Sequence, residues 1–214
     1  MFKSIAIGFF LGIVASMIAP LGVEYLKLKF FTPDIKIEFE PNAPYVISTV
    51  RGVDETKEYF PVIELRFRIN NRSNYHSALN STVMLTALGH IEGNTFVPDK
   101  KFEPVKLNQY SYMPSNISPG MEVFAPFAQI AHPDFQKRFE AQLYSGDPST
   151  PHFRFQVPHY PRWMSSHMPP GKHRFQITVY FENRLPAQQW FELQWPEKPA
   201  YDTILSTMDI KTYD

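Results

Sequence analysis

Residues 62–70, VIELRFRIN, constrain the fold more than any other stretch of this chain. Ile63, Leu65, Phe67 and Ile69 alternate with Glu64, Arg66, Arg68 and Asn70. A period of two puts the apolar set on one face of a strand, whereas a helix would scatter it around its circumference. The chain must therefore build a half-buried sheet, and the pattern recurs. Ile35, Ile37 and Phe39 alternate with Lys36, Glu38 and Glu40, and Phe175, Ile177, Val179 and Phe181 share one face within GKHRFQITVYFEN (171–183). Shorter strand patterns are PYVISTV (44–50), TVMLTAL (82–88, with Val83, Leu85 and Ala87 inward), HFRFQV (152–157) and WFELQW (190–195). In the last, Trp195 shares the inner face with Phe191 and Leu193, and Trp190 points outward. Charged or Gly- and Pro-containing turns separate them: RGVDETKE (51–58), EGN (92–94), SPG (118–120) and ENRLPAQQ (182–189). PVKLNQY (104–110) reads as an edge strand, and Pro126 inside MEVFAPFAQIA (121–131) marks an edge or a bulge.

Composition agrees. Twenty prolines against nine glycines, with 15% aromatic residues, suit short strands joined by stiff turns. One helix is expected, over HPDFQKRFEAQLYSG (132–146). Pro133 and Asp134 suit its first turn, Phe135, Phe139 and Leu143 line one face, and Gly146 stops it. Seven to nine strands with one late helix predict a mainly β, antiparallel sandwich over residues 32–197, followed by a tail, 198–214, without a firm pattern.

The amino-terminal residues 1–31 differ in kind. Ile5 to Val23 is a run of 19 residues without a charge, about 28 Å long as a helix, against a hydrocarbon core of ~30 Å. The run predicts a transmembrane signal anchor that takes the lipid bilayer as partner through residues 5–23. A cleaved leader fits less well, because cutting after Ala19 leaves Met17 at −3 and Pro20 at +1. Gly8, Gly12 and Ser16 form a small-residue stripe suited to close packing with another membrane helix. A short tail before the anchor places the large domain outside the cytoplasm, so the prediction is a single-pass membrane protein. Asn71, Asn80 and Asn116 head Asn-X-Ser/Thr sequons, which matter only on a secretory route.

Two stretches carry a resemblance. LRFRINNRSNYHSALNSTVML is a strand ending in Asn, a polar loop containing Ala78, then a second strand. PPGKHRFQITVYFEN is a Pro-Gly turn leading into a long alternating strand. Together they resemble immunoglobulin-like β-sandwich modules of prokaryotic surface and membrane-anchored proteins. The resemblance implies a module that binds partners or spaces domains rather than one that catalyses.

Several chemistries are excluded. With no cysteine there is no disulfide, thiolate nucleophile or Cys-ligated metal. Residues 1–30 hold three basic and one acidic residue, leaving 18 and 20 in the remainder. No basic stripe marks a nucleic-acid partner. No GxSxG, HExxH or phosphate-cradling glycine loop is present. What remains is the proline-rich stretch 148–170. Phe155, Tyr160 and Trp163 there predict contact with a protein, or alternatively a glycan, through rings on a rigid loop. His152, His159, His167 and His173, with Met164 and Met168, suit copper as an alternative function, since imidazole and thioether favour Cu(I). Otherwise no cofactor is expected, and a non-catalytic binding or assembly module is the leading reading.

Overall fold

The computed structural model describes residues 19–20, 22–23, 32–53, 58–107, 116–135, 150–157, 168–182 and 184–213. Its strands form two antiparallel sheets. The first contains β1 (Ile35–Glu38), β2 (Val46–Val53), β3 (Glu58–Asn71), β7 (Glu122–Ala131) and β8 (His152–Phe155). β1 and β2 pair with successive halves of the same edge of β3, and β7 lies between β3 and β8. The second contains β4 (Thr82–Glu92), β5 (Thr95–Pro98), β6 (Val105–Lys106), β9 (Gly171–Tyr180), β10 (Ala187–Trp195) and β11 (Asp209–Tyr213). Its order is β11-β10-β9-β4, with β5 and β6 sharing the far edge of β4. This mainly β, two-sheet arrangement contains nothing specific to immunoglobulin-like modules.

The inner faces are those the alternation predicts. Leu65, Phe67 and Ile69 of β3 and Phe175, Ile177 and Val179 of β9 are fully buried in one core, as are Phe191 and Leu193 of β10. Aromatic rings join the sheets. Phe67 stacks on Phe127 of its own sheet at 3.8 Å and on Phe191 of the other at 4.5 Å, and Phe175 lies 6.0 Å from Phe127. Phe127 reaches this position through a bulge. Leu65 pairs with Ala128 and Arg66 with Pro126, so Phe127 is an extra residue turned into the core. The Pro126 interruption in the sequence marks this bulge. Trp195 is buried, while Trp190 meets Phe96 on the outer face at 5.5 Å.

Polar groups hold the strand ends. Asn71, with 0% exposure, closes β3. Its Nδ2 donates to the carbonyls of His76 (2.7 Å) and Ile117 (2.9 Å), and its Oδ1 accepts from Ser73 Oγ at 2.8 Å. One amide thus ties two crossing loops together, and the first sequon is occupied by structure. On the outer face Arg68 binds its register partner Glu38 at 2.5 Å. Burial pushes the Glu38 carboxyl up, but hydrogen bonds from Lys36 and Arg68 outweigh it and hold the group below its ordinary 4.5.

Several expectations are corrected. Among the described residues, no helix is long and apolar enough to cross a membrane. Crossing requires about 20 residues of continuous helix; of the 5–23 run the described residues are Ala19, Pro20, Gly22 and Val23, all helical, and the rest lies outside them. The transmembrane helix before the sandwich, the signal anchor and the single-pass, extracytoplasmic location are therefore withdrawn. Gly8, Gly12 and Ser16 lie outside the described residues. Of the expected helix, Pro133–Phe135 is helical and the remainder, Phe139 and Leu143 included, lies outside them. β2 extends through Val53 into the expected turn. Ala87 does not face inward, because a second bulge between Leu85 and Ala87 makes Thr86 the extra residue and sets Leu88 opposite Phe175. The tail docks: after helical turns at Tyr201–Thr203 and Ile204–Thr207, β11 pairs with β10.

Replacing Phe67 with Ala is expected to lower unfolding free energy by about 3–5 kcal/mol in urea titrations followed by fluorescence. A loss under about 1 kcal/mol would remove the ring stack as the link between sheets. Asn71→Ala should cost about 1–3 kcal/mol, since it strands buried carbonyls. Asn71→Asp should cost more, because a carboxylate then faces both of them, and equal stability of the two variants would contradict the assigned hydrogen bonds.

Candidate functional site

The core does not fill the whole space between the sheets. Where β4 passes into β5, a cavity of 560 Å³ opens to the surface. Its walls come from both sheets. Leu88 belongs to β4, Phe153 and Phe155 to β8, and His173 to β9; Met168 and Pro169 close one side. Val97, Pro98 and the turn Asp99-Lys100-Lys101 form the rim with His90.

Local structure explains each placement. The bulge at Thr86 resets the alternation of β4, so Leu88 and, two residues on, His90 lie on the cavity side. Thr86 itself turns its hydroxyl onto Thr178 at 2.6 Å. Gly89 allows β5 to close down, since a Cβ there would lie 2.3 Å from the Val97 carbonyl oxygen and 2.6 Å from the Phe96 ring. Glycine inside a strand marks such close approach. Phe153 and Phe155 are successive inward residues of β8, and the Met168 N–H donates to the Phe153 carbonyl at 3.2 Å, which draws Met168 over the cavity. At the rim the Asp99 carboxylate accepts from the Lys101 N–H at 3.0 Å and shapes the turn that carries Lys100 and Lys101.

His173 is the buried polar side chain of the cavity wall. It is 5% exposed, and its Nε2 lies 2.7 Å from the Pro169 carbonyl oxygen. A carbonyl only accepts, so Nε2 carries the proton and Nδ1 is a lone-pair acceptor. Burial pushes the imidazole below its ordinary 6.5; the Pro169 bond opposes this and His90 adds to it. The ring is therefore neutral at neutral pH.

The cavity collects part of the predicted set. Phe155, Met168 and His173 are wall residues. Phe155 is 4% exposed, set edge-on to Phe153 and Phe175 at 5.4 Å from each, so it does not present a ring to solvent. His152 alternates with Phe153 and so faces outward from the first sheet, across from the inner face that carries His173. Tyr160, Trp163, His159, Met164 and His167 lie outside the described residues. Among the described residues no three of His, Asp or Glu come together to hold a metal. Leu88, Val97, Lys100 and Lys101 were not legible as site residues; the signal for them was Gly89 inside a strand pattern.

In comparisons with known proteins, no family model matches the chain, and no curated protein or solved structure matches it.

The His173 environment gives a pH test. Below pH 6.5 the unfolded chain takes up a proton here before the folded protein does. Stability linked to the neutral ring is complete above 6.5 and is lost as pH falls through the lower folded value. Urea midpoints for the native chain should decline across this range more steeply than for His173→Phe; parallel curves would contradict the buried neutral imidazole.

Proposed function

We propose that this chain is a non-catalytic binding module that takes an apolar small molecule into the cavity between its sheets. The observation that carries this reading is a surface-opening space of 560 Å³ walled by core residues of both sheets. Small-molecule sites span roughly 300–1,000 Å³, with apolar walls and few polar groups. Here the walls are Leu88, Phe153, Phe155 and Met168, and the interior polar group is one imidazole. Binding is favoured over chemistry because that imidazole commits one nitrogen to the Pro169 carbonyl and, among the described residues, has no hydroxyl or carboxylate partner. Protein or glycan contact through Phe155 is disfavoured, since Phe155 is 4% exposed and lies inside the sandwich rather than on its outer surface.

An uncharged solvatochromic dye such as N-phenyl-1-naphthylamine should bind saturably at one site per chain. Val97→Trp, which places an indole at the mouth, should weaken that binding at least about tenfold with little change in melting temperature. Absence of saturable binding, or equal affinity in the variant, would overturn the proposal.

A further inference from the structure

His173 offers the cavity one polar atom that no described protein group uses. Its Nε2–H is consumed by the Pro169 carbonyl at 2.7 Å. Among the described residues nothing pairs with Nδ1, and this atom is not among the sealed, unpartnered ones of the interior. A lone pair on a largely desolvated ring therefore looks into a space with apolar walls. Buried acceptors are costly unless a donor meets them.

The chemistry narrows the ligand. A carboxylate has no proton to give at neutral pH and would set negative oxygen against a lone pair, and a phosphate would lose the hydration of its charge inside apolar walls. A cation would give a proton but would lose hydration inside apolar walls. A neutral hydroxyl meets both conditions. The walls at Phe153 and Phe155 favour an aromatic body for it, since edge-to-face ring contacts add to simple burial. We propose that the cavity selects a neutral phenol-type molecule whose O–H donates to Nδ1 of His173 while its ring packs against Phe153 and Phe155. This rests on the cavity being the binding site. The lysines of the rim are solvent-exposed and act on anions only weakly.

The test uses three probes with one ring system on the full chain at neutral pH: 2-naphthol, 2-methoxynaphthalene and 2-naphthoate. Calorimetry should give 2-naphthol an affinity about tenfold above its methyl ether, the scale of one hydrogen bond. The Nδ1 nitrogen resonance of His173 should move on adding 2-naphthol and stay in place with the ether. His173→Phe should bind naphthol and ether alike; should that variant not fold, the nitrogen resonance of the unaltered chain decides. Equal affinity for naphthol and ether, or an unmoved resonance with naphthol bound, overturns the phenol assignment and leaves the cavity as a binding site. Tighter binding of 2-naphthoate that disappears in Lys100→Glu/Lys101→Glu overturns it in favour of an anion. Failure of all three to bind overturns the cavity itself.

Discussion

Everything in this molecule depends on a column of phenyl rings that crosses the space between two sheets. Phe67 lies against Phe127 on one side and Phe191 on the other, and Phe175 completes the contact at 5.6 Å from Phe191. Each ring buries large apolar area, and ring pairs at these separations add about 0.5–1.5 kcal/mol beyond that burial. The column fixes the distance between the sheets. Strand ladders set spacing only within a sheet, so side chains alone determine how the two faces approach.

Two bulges shape what the column leaves open. An unbroken strand turns every second residue inward, and one inserted residue changes which set that is. In β7 the insertion adds Phe127 to the core. In β4 it exchanges Ala87 for Leu88 and brings His90 to the cavity rim. The first bulge fills the centre of the sandwich, and the second supplies a wall of the cavity near its end. Gly89 completes the second device, because only a residue without Cβ lets β5 and the Phe96 ring come so close.

The cavity thus lies where the aromatic core stops and edge strands continue. Its polarity is concentrated in His173, which is neutral, tautomerically fixed by Pro169 and shielded from bulk water. An apolar space with one oriented acceptor discriminates between ligands by whether they carry a donor, which is a sharper criterion than size.

By itself the sequence determined the β class, the inward faces of β3, β9 and β10, and the outward turn of Trp190, because period-two alternation is local and needs no knowledge of partners. Phe155 was legible as a ring for partner contact, and Met168 and His173 as members of a separate candidate metal set. The tertiary structure alone decided that these three share a cavity while His152 faces elsewhere. It also decided that Leu88 replaces Ala87, and that residues 209–213, which lack an alternating pattern, pair with β10. These outcomes turn on register between strands distant in the chain, and register is settled by whole-face packing.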